Sequence, residues 1–285
     1  MRIIVIGSTG QLGTDLMEVL SVKHEVKGLS HQDIEVRDRG SWNLPLLKAW
    51  HPDVIINTAG FSRTVQAEVE AEEAFSINAI GARNIADLAD KLDAVNVFIS
   101  SDYVFGETFF PSEEDVPDPL STYGVSKLAG ECFTKQYPKH YIIRTSALFG
   151  VAGSSGKGGG NFVETMIAKA ERKEPLKVTS VIWTSPTYTK DAASILEQII
   201  RFKLPYGVYH VTNRGCCTWF EFAEAIFELL SLHPILESVE TEDSQIRRPR
   251  FACLRSHKLN KHQIKSRMWR DALKAYLIEK GHLNE

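Results

Sequence analysis

The chain has 285 residues, of which 43% are hydrophobic and 24% are charged, and its formal net charge is -3 at pH 7. This composition is typical of a compact soluble protein with one large or two modest domains, and the small negative charge argues against general nucleic-acid binding. No stretch approaches the ~18 apolar residues of a membrane span. The first apolar run ends at a glycine turn after six residues, too short for a signal peptide, so we expect a cytoplasmic protein.

Apolar runs alternate with helical patterns through the first half of the chain. The runs that predict buried strands are 3–7, 24–30, 53–59, 95–105 and 140–146. The helical patterns between them lie near 11–21, 38–50, 68–91 and 121–136. This alternation predicts an α/β fold with a Rossmann-like, doubly wound parallel sheet and a smaller C-terminal α/β substrate domain.

The chain changes character after residue 150, where a Gly/Ser-rich stretch begins. We predict a dinucleotide-binding domain over 1–150, with a returning segment of about 176–212. The predicted substrate domain covers 151–175 and 213–285. The Gly/Ser-rich stretch is either a lid over the substrate or a plain connector.

The first strand runs into the turn GSTGQLG, which contains Gly7, Gly10 and Gly13. Glycine permits the tight turn, lets the backbone approach a pyrophosphate and allows the following helix to pack on the strand. The helix N-terminus offers free N–H groups to phosphate. Because this turn follows a strand and opens a helix, it predicts dinucleotide binding.

The end of the second strand bears on the choice of nicotinamide cofactor. It reads GLSHQD, so Ser30 and His31 stand where a carboxylate would bind the ribose of NAD. Arg37 and Arg39 lie farther along the chain. The pattern favours NADPH and leaves NADH use open.

A hydroxyl, a tyrosine and a lysine form the candidate catalytic set. The strand that ends at Ser101 delivers Ser101 and Asp102 to the carboxyl end of the sheet, where ligands bind in such folds. Tyr123 and Lys127 are one helical turn apart and share a helix face. A ketone reductase needs a proton donor at the carbonyl oxygen, and an ammonium group beside a tyrosine lowers the pKa of the phenol. The set therefore predicts Tyr123 as the acid, Lys127 as its tuning cation and Ser101 as the partner of the carbonyl.

The combined motifs resemble the extended short-chain dehydrogenase/reductases, and within them the dTDP-4-dehydrorhamnose reductase family. The segments that carry the resemblance are GQLG, PDVIINTAG, INAIGARN, SSDYVF, YGVSKLAGE, RTSALFG, GNFVETM, SPTYTKDAA, GVYH and WFEFA. They span nearly the whole chain. The resemblance implies NAD(P)H-dependent reduction of the C4 ketone of a nucleotide-linked 4-keto-6-deoxyhexose, typically dTDP-4-dehydrorhamnose to dTDP-L-rhamnose.

The resemblance also implies residue roles. The catalytic residues are Ser101, where the family usually has threonine, with Tyr123 and Lys127. The cofactor contacts are Gly7, Gly10, Gln11, Leu12, Gly13, Glu35, Val36, Ala59 and Asn78, to which the strand end adds Ser30. The substrate contacts are Ser101, Asp102, Ala147, Asn161, Phe162, Trp183 and Arg248.

Three segments depart from the family pattern, all on its substrate-facing side. Ala147 stands where a tryptophan is expected, and Val181 and Ile182 replace an Asp-Gln pair. The segment GFSRTVQAE lacks an aspartate and a lysine and gains Arg63. These changes leave a different sugar or nucleotide open, and Trp183 is either a replacement for the missing tryptophan ring or a packed core aromatic.

Three other functions occur on the same fold. A 4,6-dehydratase would place a second carboxylate after Asp102, where Tyr103 stands, so dehydration is disfavoured. An epimerase of a nucleotide sugar stays open, as does a non-catalytic dinucleotide-binding subunit like the regulatory subunit of methionine adenosyltransferase. A homodimer is the expected assembly.

Few features of the second half point to chemistry. Arg247, Arg248 and Arg250 form either a clamp for a nucleotide diphosphate or a solvated cluster. Thr218 and Glu221 predict a capping box. The four cysteines have no metal or redox spacing and are expected to be free thiols, and no protein-bound metal is expected. The amphipathic tail, 259–280, is expected to pack on the substrate domain.

Overall fold

A computed structural model describes residues 1–153, 158–240 and 246–284. The strands of the first half are β1 Arg2–Ile6, β2 Glu25–Leu29, β3 Val54–Asn57, β4 Val95–Ser101 and β5 His140–Thr145. The helices between them are α1 Gln11–Ser21, α2 Leu44–Trp50, α3 Ala71–Phe75, α4 Ala82–Lys91 and α5 Thr122–Thr134. Single turns of 3-10 helix occupy Arg39–Ser41, Gln66–Glu68 and Asp102–Val104, and a π-helix covers Ser76–Gly81.

The second half contains shorter strands. They are β6 Leu148–Phe149, β7 Leu176–Thr179, β8 Trp183–Thr184, β9 Thr187–Tyr188, β10 Gly207–His210, β11 Cys217–Thr218, β12 Leu236–Val239 and β13 Phe251–Ala252. Its helices are α6 Phe162–Glu171, α7 Thr189–Arg201, α8 Trp219–Leu230, α9 His257–Lys261 and α10 Trp269–Glu279. None of the helices in the described ranges is long and apolar enough to cross a membrane.

The central sheet confirms the predicted fold class. Its six strands are parallel and run in the order β2-β1-β3-β4-β5-β10. Alternate residues of β1 face opposite layers, because Ile3 and Val5 pack with α1 and α7 while Ile4 and Ile6 pack with α4. The strand order reverses between β1 and β3, the position at which ligands bind in open α/β sheets.

A second apolar cluster lies in the C-terminal half. Residues of α6, α8 and α10 surround Phe149, Phe222 and Tyr276 in it. The capping box at the start of α8 is present, since the Thr218 hydroxyl accepts from Glu221 N and the Glu221 carboxylate accepts from Thr218 N. The domain limits drawn from the sequence stay a prediction.

Several local expectations are corrected. The helix expected near 38–50 is broken into a 3-10 turn and α2, which begins only after the Asn43 cap and carries Pro45 in its first turn. The amphipathic tail, 259–280, does not pack as one unit on the C-terminal cluster. Leu259 and Ile264 pack into the core beside the sheet, and only α10 joins the C-terminal cluster. Within the Gly/Ser-rich stretch, residues 154–157 lie outside the described ranges, so the choice between lid and connector stays open.

The expectation of four free thiols is wrong for two cysteines. Cys216 and Cys253 form a disulfide, with their Cα atoms 5.8 Å apart. Cys132 and Cys217 are free. The pairing escaped the sequence argument because 37 residues separate the two cysteines and only the tertiary fold brings them together.

Candidate active site

The catalytic set is placed by one strand and one helix. Ser101 is the last residue of β4, and Tyr123 and Lys127 lie in the first two turns of α5. The Ser121 side chain caps that helix by accepting from Gly124 N. Gly124 lets the helix approach the 3-10 turn after β4 closely, because a methyl group there would overlap the Tyr103 carbonyl.

Ser101, Tyr123 and Lys127 meet in one cavity of about 700 Å³. The cavity extends from the first glycine turn, past these three residues, to the C-terminal half. The predicted site residues that line it are Gly10, Gln11, Leu12, Gly13, Ser101, Asp102, Tyr123, Lys127, Ala147, Asn161, Phe162 and Arg248. The sequence therefore identified groups from both halves of the chain that share this cavity.

The electrostatics of Tyr123 and Lys127 differ from the expectation. Burial raises the pKa of Tyr123 to about 12, against a smaller lowering effect of the Ser101 hydroxyl. Burial also lowers the pKa of Lys127 to about 7, and its ammonium donates to the Ile99 carbonyl over 2.6 Å. The expectation that Lys127 depresses the Tyr123 pKa does not describe this structure, because desolvation outweighs any gain from the ammonium.

Asp102 is held inside a cluster of hydroxyls. Ser101 Oγ donates to one of its carboxylate oxygens over 2.7 Å, and Ser146 Oγ donates to the other, also over 2.7 Å. Ser146 Oγ also lies 3.0 Å from Thr184 Oγ1 and 3.1 Å from the Ala252 carbonyl, a more distant acceptor for its single hydrogen than Asp102. Burial raises the pKa of Asp102 to about 6, although the two serine hydrogen bonds lower it.

The glycine turn has the features of a phosphate site. Gly7 has a φ of 79°, and a Cβ there would lie 2.6 Å from Thr58 Oγ1, so both conformation and space require glycine. No side chain caps the start of α1, and its first turn carries no acidic residue. Gln11 Oε1 is buried without a hydrogen-bond partner at this end of the cavity. Unpaired N–H groups and an unpaired acceptor suit a ligand with both phosphates and hydroxyls, which fits a dinucleotide.

The remaining predicted cofactor contacts do not line the cavity. Those outside the described lining of the cavity are Gly7, Ser30, Glu35, Val36, Ala59 and Asn78. Glu35 pairs with Arg37, which lowers the pKa of Glu35 to about 2. Ser30 donates through N and Oγ to Asp33, so a carboxylate does lie against the end of β2, contrary to the sequence interpretation.

Asn78 joins two parts of the site. It is fully buried, its Oδ1 accepts from Phe61 N over 2.9 Å, and its Nδ2 donates to Ser126 Oγ over 2.9 Å. Ser126 lies on α5 between Tyr123 and Lys127. Asn78 therefore ties the loop after β3 to the catalytic helix, and its described contacts are within the protein.

The substrate-facing candidates come from the second half. Asn161 caps α6 through its Oδ1 and donates through Nδ2 to Gly150 O and Tyr276 Oη. Phe162 packs against Trp219, with ring centroids 4.6 Å apart. Ala147 lines the cavity with a left-handed backbone, at a φ of 41°. Trp183 is not among the described lining residues, whereas Ile182 is, so a substrate contact by Trp183 stays a prediction.

Comparison with known proteins identifies the family. The family model described as the RmlD substrate binding domain matches residues 1–281. A dTDP-4-dehydrorhamnose reductase from Aggregatibacter actinomycetemcomitans is 32% identical over 292 residues, which covers 96% of this chain and 97% of the relative. The chain belongs to the dTDP-4-dehydrorhamnose reductase family.

Two further proteins are similar to this chain over almost their full length. The spore coat polysaccharide biosynthesis protein SpsK of Bacillus subtilis is 39% identical, with 98% of each chain covered. The crystal structure of dTDP-4-dehydrorhamnose reductase from Bacillus anthracis in complex with NADP is 34% identical, with a TM-score of 0.90. That match covers 98% of this chain and 99% of the solved one.

Several buried polar groups around the catalytic residues of this family member were not predicted from the sequence. Glu131 is fully buried and accepts two bonds from Arg144, of 2.8 and 2.7 Å, and one of 2.7 Å from Ser100 Oγ. An arginine inside the apolar strand YIIRT was the available signal, since a buried charge needs a partner. Ser146 and Thr184 carried no such signal, because hydroxyl residues are common on strand ends and loops.

In the described ranges, no group of three or more His, Cys, Asp or Glu side chains is placed to hold a metal ion.

Proposed function

We propose that this chain catalyses the NADPH-dependent reduction of the C4 ketone of a dTDP-linked 4-keto-6-deoxyhexose, converting dTDP-4-dehydrorhamnose to dTDP-L-rhamnose. The main support is that Ser101, Tyr123 and Lys127 line one cavity. One end of this cavity is the N-terminus of α1, which no side chain caps, and the other end is formed by the C-terminal half. Family membership supports the same reaction, and the NADP complex of the Bacillus anthracis relative supports the cofactor.

Different residues would bind the cofactor and the substrate at the two ends of the cavity. The N–H groups at the start of α1 would hold the pyrophosphate of NADPH, and Gln11 would accept from the cofactor. The bound nicotinamide supplies the hydride. Arg248, Asn161 and Phe162 would position the nucleotide sugar at the other end.

Tyr123 supplies the proton. Its raised pKa, about 12, keeps the phenol protonated at neutral pH, which is the state an acid must have before the reaction. The new alkoxide is a stronger base than a phenolate, so transfer from Tyr123 Oη to the sugar O4 is favourable. Lys127 would then stabilise the phenolate, because an ammonium favours the charged form of a neighbouring acid.

A second candidate is the same reaction on a different nucleotide sugar. Ala147 and Ile182 both line the cavity where the family pattern has larger or more polar residues, so the sugar end is more open and more apolar. An epimerase, a non-catalytic subunit, a homodimer and a cytoplasmic location stay predictions.

The test is the oxidation of NADPH by purified protein with dTDP-4-dehydrorhamnose, followed by absorbance. We expect turnover, and we expect Tyr123→Phe to lower kcat by about 10²–10⁴, because it removes the acid without emptying the site. Tyr206→Phe is the matched control, since Tyr206 lies outside the described lining of the cavity.

The alternatives give different results in the same assay. Turnover only with GDP- or CDP-linked 4-ketoses would select the second candidate. NADPH binding without turnover of any 4-keto sugar would contradict the reductase and favour a binding role.

A further inference from the structure

The hydroxyl hydrogen of Ser101 is used in a hydrogen bond within the protein. Ser101 Oγ donates to Asp102 over 2.7 Å, and a hydroxyl has only one hydrogen to donate. While Asp102 is ionised, Ser101 can therefore act toward a substrate only as an acceptor. A ketone oxygen is also an acceptor, so this arrangement leaves Ser101 unable to bind it.

Two effects on the protonation of Asp102 oppose each other. Hydrogen bonds from the Ser101 and Ser146 hydroxyls and from the Tyr103 and Asp102 N–H groups favour the carboxylate, whereas burial, the larger effect, favours the neutral acid. Asp102 is 4% exposed, and Ser146, Thr184 and the Ala252 carbonyl lie beyond its second oxygen. These groups come from the segment after β5, from β8 and from β13, and none of them is charged. From α5, the titratable groups that share the cavity are Tyr123 and Lys127.

We propose that Asp102 works as a neutral carboxylic acid whose proton bonds Ser101 Oγ and so releases the Ser101 hydrogen for the ketone oxygen of the substrate. This inference rests on the proposed function. Asp102 takes up one proton from solvent and becomes the donor, Ser101 Oγ becomes the acceptor, and Ser101 keeps its own hydrogen. Asp102 is thus a positioning residue that acts through Ser101.

The neutral state of Asp102 is favoured in mildly acidic solution. Burial raises the pKa of Asp102 to about 6, so the neutral form predominates below that value and becomes roughly tenfold rarer with each further pH unit. The second oxygen still accepts from Ser146 in either state, so protonation changes one hydrogen bond and preserves the other.

The test is Asp102→Asn, which fixes the donor state permanently. An amide NH2 donates to Ser101 as the neutral acid would, while the amide oxygen accepts from Ser146. We expect kcat of the natural protein to fall as pH rises through about 6, and we expect that fall to be absent in the variant. At about pH 8 the variant should exceed the natural protein by tenfold or more, with KM unchanged.

Two controls isolate the effect. Lys127, whose pKa burial lowers to about 7, is present in both proteins, so we expect its contribution to cancel in the ratio of the two kcat values. Asp115→Asn makes the same chemical change at a carboxylate that binds Ser112 outside the described cavity lining, and it should follow the natural protein at every pH. In a Ser101→Ala background, Asp102→Asn should have no effect on kcat, because the two residues act in series.

Infrared spectroscopy tests the protonation state without substrate. The natural protein should show a neutral-carboxyl band that disappears as pH rises through about 6 and that Asp102→Asn lacks at every pH. The absence of this band, or a folded, NADPH-binding Asp102→Asn protein slower than the natural one at every pH, would overturn the inference. Failure of the proposed function looks different, since the natural protein itself would then turn over no 4-keto sugar.

Discussion

The two sides of the cavity are built differently. On the sheet side, Ser101, Tyr123 and Lys127 lie on a seven-residue strand and a thirteen-residue helix packed against each other. On the opposite side, Ala147 precedes a two-residue strand, and Arg248 lies in the connection between β12 and β13. Groups that must align with reacting atoms are on long regular elements, whereas groups that determine which substrate fits are on short ones.

The same contrast appears in the sequence. The catalytic hydroxyl, phenol and ammonium keep the family pattern, and the departures at Ala147 and Ile182 are on the side made of short elements. Such segments change with little cost to the sheet, so substrate preference can alter while the proton-transfer groups stay in place. Each variant below removes a support or contact from one side only.

The largest expected effect is on the sheet side. Arg144→Met removes the two short hydrogen bonds that Arg144 donates to Glu131 of the catalytic helix, and it leaves this fully buried carboxylate with only Ser100 and the more distant Lys135 among its described partners. We expect the free energy of unfolding to fall by about 3–5 kcal/mol, measured by urea denaturation. The matched control is Arg172→Ala, which breaks an exposed ion pair with Glu174 and should cost less than about 1 kcal/mol. Equal effects of the two substitutions would mean that the buried pair does not support this side.

The next effect concerns the opposite side, which the disulfide supports. Cys216 immediately precedes β11 and Cys253 immediately follows β13, and both strands pair with β8. Cys253→Ser should lower the free energy of unfolding by about 2–4 kcal/mol and make it insensitive to dithiothreitol. The control Cys132→Ser removes an exposed free thiol and should keep the natural response to the reductant. A natural protein whose stability ignores dithiothreitol would contradict this role.

The sheet side could be predicted from sequence because its signals are local. The apolar runs of β1, β3, β4 and β5, the glycine turn and the spacing of Tyr123 and Lys127 each depend on neighbouring residues. The capping box at Thr218 is local in the same way. The broken helix at 38–50 is the exception, since a helical pattern in that segment outweighed the signals of Asn43 and Pro45.

What the sequence did not reveal depends on contacts between distant segments. Ser146 reaches Asp102 across 44 positions, and the disulfide joins residues 37 apart. The pKa of Tyr123 was expected to fall because the nearby ammonium was visible in the sequence and the depth of burial was not. Desolvation is a property of the whole fold, so its size follows only from the packed structure.

The last prediction separates binding from chemistry at Arg248. Arg248 lines the cavity on the side made of short elements, and its guanidinium suits a diphosphate. Arg248→Ala should raise KM for the nucleotide sugar by about 10–100-fold, the equivalent of losing about 1.5–3 kcal/mol of charge-assisted hydrogen bonding. Its kcat should change by less than about threefold, because an interaction made equally in the ground and transition states affects KM alone. Arg247→Ala is the matched control, since Arg247 is exposed and outside the described cavity lining. A loss of kcat at unchanged KM would instead place Arg248 among the groups that act on the reacting atoms, and the functional difference between the two sides would not hold.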